Sequence, residues 1–231
     1  RHDRHGLVTD CGLAVFGDVD SWYSRCGDND GSETAIYLSS QVFRYAVTKD
    51  VAVRNRAWQH LETLGALHRV TGIPGGAGET CVWGAGRWYN STTIPGWIWK
   101  GDTSSDEIIG HMYLYAYAFD LLAETSQERA VHSAHCCHSG PNRYIVDHNF
   151  TLVGPDGFPT TWGHWDPYYV NVNASSHDDR GLQSLEMLSF LVLAYRVSDD
   201  AYFLAALDEL TNDANQYGYN LINAETMYPY D

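Results

Sequence analysis

The sequence predicts an all-α protein: an (α/α) toroid of helical hairpins, with about three hairpins in this chain and long Trp/Gly-rich loops. Three observations carry that expectation. Segments from about Ser32 to Val47, Ser105 to Ala123 and Gly181 to Val197 are apolar nearly all round, the mark of helices buried on every side. Amphipathic segments flank them: Val51 to Val70 sets Trp58, Leu61, Leu64 and Leu67 on one stripe, with Arg54, Arg56 and Glu62 elsewhere, and 201–217 does the same with Phe203, Leu204, Leu207 and Leu210. The junctions also repeat, as Thr48-Lys49-Asp50, Thr125-Ser126-Gln127-Glu128 and Ser198-Asp199-Asp200, spaced 77 and 73 residues apart (125−48 and 198−125). A helix pair used several times is the reading of such a period.

Each element has a local reason. Thr125 and Glu128 fit a capping box for the helix that follows. Buried inner helices wrapped by amphipathic outer ones suggest a double ring. A closed six-hairpin ring needs roughly twice the length that three hairpins take here. The expectation is therefore one toroid domain over 1–231, incomplete at the C-terminus, because an open half-toroid exposes a large apolar flank. Residues 73–104 and 151–179 are long and rich in Gly, Trp, Pro and Tyr, and loops of that length inside a domain are usually functional.

Composition narrows the class. The chain has 231 residues, 44% apolar, with 14 basic against 29 acidic residues and a formal charge of −15. That supports a sizeable core and argues against binding to nucleic acid or an anionic membrane surface. No run of about 18 apolar residues occurs, so no membrane span is expected. The chain begins at Arg1 without a leader, as after signal removal. Sequons at Asn90, Asn149 and Asn173 fall in loops or at element ends. Of five cysteines (Cys11, Cys26, Cys81, Cys136, Cys137), an oxidising compartment would pair four and leave one, free or bonded to another chain. These features point to a secreted, extracellular glycoprotein, with a homo-oligomer through the odd cysteine left open.

Polar residues crowd just before each apolar helix: Asp28, Asp30 and Glu33; then Trp97, Trp99, Lys100, Asp102, Ser104, Ser105, Asp106 and Glu107, with His111 one turn in; then Trp162, His164, Trp165, His177, Asp178, Asp179 and Arg180. In a toroid these helix starts converge on one funnel mouth, the default place for a site. Asp102 and Asp106 are the expected carboxylate pair, with Asp30 assisting and His111 orienting substrate or acting as acid. Trp97, Trp99, Trp162 and Trp165 offer flat faces to sugar rings, Lys100 and Arg180 suit a carboxylate or sulfate, and Glu107 joins the substrate contacts. Paired carboxyls serve as acid and base across a glycosidic bond. The plainer reading is that Asp28, Asp30, Asp102 and Asp106 cap helices and that the tryptophans are core. The dipole keeps such carboxylates ionised, so a general acid must be a more buried carboxyl or His111.

No metal is expected. Asp28-Asn29-Asp30-Gly31-Ser32 begins like a calcium loop, but position twelve is Ser39 rather than Glu, which rejects an EF-hand; a looser calcium site near Asp28 and Asp30 stays open. His132, His135, Cys136, Cys137 and His138 lack the two spaced pairs of a structural zinc site. His2 and His5 carry adventitious metal at most. There is no Gly-x-Ser-x-Gly elbow, P-loop or Rossmann fingerprint.

The stretches DNDGSETAIYLSSQVFRYAVTKD, LHRVTGIPG, WKGDTSSDEIIGHMYLYAYAFDLLAE, PTTWGHWDP and RGLQSLEMLSFL resemble poorly characterised secreted proteins of bacteria and marine invertebrates with a six-hairpin glycosidase-like (α/α) toroid. The run from Lys100 to His111 is the most specific part. The resemblance implies the toroid and further hairpins beyond Asp231. Two features depart from it: Ser32-Glu33 follows Asn-Asp-Gly, adding an acid near the mouth, and HSAHCCHSGP interrupts what is ordinarily a plain outer helix. The expected function is a carbohydrate-active enzyme, hydrolase or lyase, on an acidic polysaccharide. The alternative is a non-catalytic glycan-binding or matrix glycoprotein.

Overall fold

The computed structural model describes residues 3–4, 6–25, 27, 29–73, 87–138, 140–173 and 179–222. Asp28, Cys26, Cys81, His2, His5, His177 and Asp178 lie outside them. The first hairpin pairs α1 (Asp30–Thr48) with α2 (Val51–Arg69). The third pairs α7 (Arg180–Ser198) with α8 (Ala201–Thr211). Their turns are built alike. Lys49 and Asp199 both take φ 55, the left-handed cap that ends a helix in one residue. The hydroxyls of Thr48 and Ser198 accept from the amides of Asp50 and Asp200 at 3.3 and 3.2 Å. The carboxylates of Asp50 and Asp200 then accept from Ala52 and Tyr202 at 2.8 and 2.9 Å, opening the next helix.

The middle hairpin is less regular. Helix α3 (Ser105–Tyr117) widens into a π turn over Ala118–Leu122. The expected capping box between Thr125 and Glu128 is present and starts α4 (Ser126–Ser133). A second π turn, Ala134–His138, breaks that helix within HSAHCCHSGP, and α5 (Pro141–Asp147) resumes it. A Cβ on Gly140 would sit 1.8 Å from the His135 carbonyl oxygen, so only glycine permits the chain to pass there. The third outer helix is shorter than the expected 201–217: α8 stops at Thr211 and a separate α9 covers Tyr217–Ile222.

The all-α expectation needs correcting. Most of the chain is helical, but small sheets accompany the helices. Four antiparallel pairs occur among the described residues: β1 (Asp3–Arg4) with β2 (Leu7–Val8), β3 (Cys11–Leu13) with β4 (Trp22–Ser24), β5 (Trp88–Asn90) with β6 (Ile98–Lys100), and β7 (Thr151–Val153) with β8 (Pro159–His164). They occupy the N-terminal arm and the two long loops. The second loop also holds the short helix α6 (Pro167–Asn171).

Helix α3 lies between α1 and α7, with α2 packed on α1 and α8 on α7. One apolar cluster joins all three hairpins, including Leu38, Leu64, Ile108, Leu114, Leu191 and Phe203. At the α1–α3 crossing, a Cβ on Gly110 would meet the Ser32 Cα at 2.6 Å, so the two backbones nearly touch. The inner helices are not buried on every side. Ile36, Phe43 and Val47 of α1, Tyr113 of α3, and Leu185 and Val192 of α7 are exposed. Ring contact of Phe43 with Tyr117 and the Arg196–Asp120 ion pair at 2.7 Å join these faces into one surface.

Candidate functional site

The N-terminal ends of α1 and α3 meet directly. Glu107, in the first turn of α3, accepts from the Ser32 amide of α1 at 2.9 Å. Ser104 Oγ donates to Asn29 Oδ1 at 3.4 Å, and Ser104 rather than an aspartate caps α3. A Cβ on Gly31 would lie 1.8 Å from Glu107 Oε1 and 2.8 Å from His111 Nε2, so this glycine is what lets the carboxylate reach the end of α1.

Glu107 begins a buried polar chain. His111 Nε2 stands 3.4 Å from Glu107 Oε1, His111 Nδ1 is 3.2 Å from His68 Nε2, and that same nitrogen is 2.6 Å from the Tyr115 hydroxyl. The tautomer of His111 that donates its Nε2–H to the carboxylate presents Nδ1 as an acceptor. His68 then carries its proton on Nε2, aimed at His111 and Tyr115. Burial holds His68 well below the usual histidine range, helped by the charges of His111, His135 and Arg69. Glu107 and His111 are fully buried. Both are engaged inside the protein and closed off from solvent, so neither has the exposed, ligand-facing position expected of it.

Two carboxyls at this end hold protons unusually well. Asp30 is fully buried; desolvation pushes it up to about 6 against the Gly27 amide that lowers it, with Glu33, Glu107 and Asp10 adding like charge. One oxygen accepts from Gly27 at 2.9 Å, while the other is buried without a partner. Glu33 is also raised, by desolvation and then by Asp10 and Glu107. The second proton-holding group is Glu186 of α7. Desolvation pushes it up to about 7; the Trp165 indole, donating at 2.6 Å, lowers it, and Asp106 and Asp179 raise it. Sequence reasoning missed Glu186. The signal was there, as the lone acid inside the apolar run LQSLEMLSFLVL, where an isolated charge is the informative residue.

The remaining expected residues divide. Asp106 is exposed in the first turn of α3 and lies close enough to Glu186 for its charge to be felt. Asp102, at φ 72, binds the β7–β8 hairpin: its carboxylate accepts from the Thr161 amide at 2.5 Å and from the Thr161 hydroxyl at 2.9 Å. It therefore acts as a clamp, not as the free partner of Asp106. Trp162, next to that clamp, is 64% exposed and can present a face to a sugar. Trp165 is wholly buried, and Trp99 is buried and stacked on Tyr89 with ring centroids 4.8 Å apart. Neither offers the open face expected of it. Lys100 is buried as well. Arg180 donates to the carbonyls of Val170 and Asn171 at 2.9 and 3.2 Å, closing the end of α6. Of the two cations expected to hold an anionic sugar, Lys100 is thus buried and Arg180 is engaged by backbone carbonyls. A crevice of about 20 Å³ beside Asp102, lined also by Trp99, Tyr144 and Thr160, has room for one water.

Asn90 and Asn149 are exposed, and Asn173 is half-buried. Cys136 and Cys137 are fully buried free thiols. This corrects the expectation that four cysteines pair: with these two in the core, the other three allow one pair. His132 donates through Nε2 to the Tyr115 carbonyl at 2.7 Å, and burial lowers it to about 4. Among the described residues no group of three or more His, Cys, Asp or Glu is arranged to hold a metal. No helix among them is long and apolar enough to cross a membrane. The chain matches no protein-family model, no curated protein and no solved structure.

Proposed function

We propose that this chain is a secreted glycoprotein and part of an (α/α) toroid that hydrolyses a glycan at the shared start of α1, α3 and α7. The observation that supports it is the pairing of a proton-holding carboxyl, Glu186, with the exposed carboxylate of Asp106. A carboxyl that holds its proton beside an exposed carboxylate is the arrangement that general acid–base cleavage of a glycosidic bond requires. Glu186 gives its proton to the leaving glycosidic oxygen as the C–O bond breaks. Asp106 takes a proton from the attacking water, whose oxygen bonds to the anomeric carbon. Trp162 supplies the stacking face. The buried Glu107–His111–His68–Tyr115 chain positions the floor beneath them. The buried Lys100 and the engaged Arg180 favour a neutral glycan over an acidic one.

The test screens folded protein against neutral, uronate and sulfated polysaccharides, reading reducing ends and unsaturated-product absorbance together. Reducing ends without absorbance are expected. Glu186→Gln should stop natural substrates yet spare aryl glycosides with a good leaving group, because these need no acid. Asp106→Asn should stop both. Equal loss on both substrate types in Glu186→Gln removes the acid assignment. A non-catalytic glycan-binding role is favoured instead by the exposed Phe158, Trp162 and Tyr168 around β8 and α6. Saturable binding without turnover on any substrate would select it.

A further inference from the structure

We propose a second ligand site, away from the helix starts, that receives one ring of a neutral oligosaccharide in the groove between the outer helices α2 and α4. The groove has a volume of about 520 Å³ and is walled chiefly by Arg54, Asn55, Trp58, Gln59, Glu62 and Gln127. That size suits one or two sugar rings, and none of its residues belongs to the mouth described above.

Three features define the ligand class. Trp58 supplies an aromatic wall, held by Arg54, whose guanidinium carbon stands 6.0 Å from the ring. The amides of Asn55, Gln59 and Gln127 each carry a donor and an acceptor, the pairing that neighbouring sugar hydroxyls match. The charge balance excludes an anion. Arg54 is neutralised by Glu128 at 2.5 Å and Glu124 at 3.6 Å, and Glu62 adds a negative charge. An aromatic wall, amide forks and no spare cation together fit an uncharged sugar.

The experiment is calorimetric titration of the whole chain with cellohexaose, maltohexaose, laminarihexaose and chitohexaose. At least one should bind saturably. Trp58→Ala and Asn55→Arg should each weaken it at least tenfold, whereas Glu186→Gln and Trp162→Ala should leave this binding in place. Asn55 is exposed, so its arginine variant fills the groove without touching the core and keeps the test valid where Trp58→Ala misfolds by circular dichroism. Absence of binding to all four sugars overturns the proposal. So does binding that survives Asn55→Arg and is lost in Trp162→Ala. Failure here leaves the hydrolase reading standing, since that rests on turnover at Asp106 and Glu186.

Discussion

Replacing Glu186 by glutamine keeps the side chain's shape and leaves an oxygen for the Trp165 indole, but removes the group that binds a proton. In the folded chain this carboxyl titrates at about 7 rather than the ordinary 4.5. At about 1.4 kcal/mol for each tenfold change in proton affinity, that difference corresponds to roughly 3 kcal/mol. The sign follows from proton counting. Below pH 4.5 both folded and unfolded chains are protonated, and Glu186 contributes nothing to the pH dependence. Between 4.5 and about 7 the folded chain binds more protons, so stability falls as pH rises. Above that window the full penalty is in place. The variant should match the native chain near pH 4 and exceed it by roughly 3 kcal/mol at pH 8. Urea unfolding followed by far-ultraviolet circular dichroism from pH 4 to 8.5 measures this. Asp30, raised from 3.8 to about 6, adds a fall of the same sign over that window in both proteins. Parallel curves, or a variant weaker than the native chain at pH 8, would mean that Glu186 ionises without penalty. The acid assignment would then fall with it.

Four further outcomes are expected. Gly31→Ala drives a methyl into Glu107 and His111, and should cost about 1–3 kcal/mol in urea unfolding. Asp199→Gly relieves the left-handed turn at φ 55 and should add about 1 kcal/mol, read as a higher Tm. Asp102→Ala removes both bonds to Thr161; amide exchange across 159–164 should quicken while α3 stays protected. Cys136 and Cys137 should resist an aromatic disulfide reagent in the native chain and react once unfolded, because burial raises the Cys136 thiol and excludes reagent from both.

The helices were legible because their information is local. Apolar stretches, the Thr125–Glu128 box and the Ser/Thr-Asp junctions each specify structure within a few residues. The strands were not, since pairs of two or three residues such as Trp88–Asn90 with Ile98–Lys100 show no alternation to read. The π turn at Ala134–His138 was visible only as an interruption. At the site, the sequence placed the polar residues at the starts of α1 and α3, which do meet, but exposure was not legible. Trp165 and Trp162 lie three positions apart in one loop, yet one is buried beneath α7's Glu186 and the other open to solvent. The link from Glu107 through His111 to His68 depends on how α2 lies against α3, which no spacing within either helix encodes.

The matched turns at Thr48-Lys49-Asp50 and Ser198-Asp199-Asp200 make the first and third hairpins self-contained modules. Both close with the same dihedral and the same two side-chain bonds, supplied within five residues. Such a turn needs nothing from its surroundings, so copying a segment copies its geometry. The same autonomy makes the two corners interchangeable: transplanting the Ser198–Tyr202 segment onto α1 should leave the first hairpin's path unaltered.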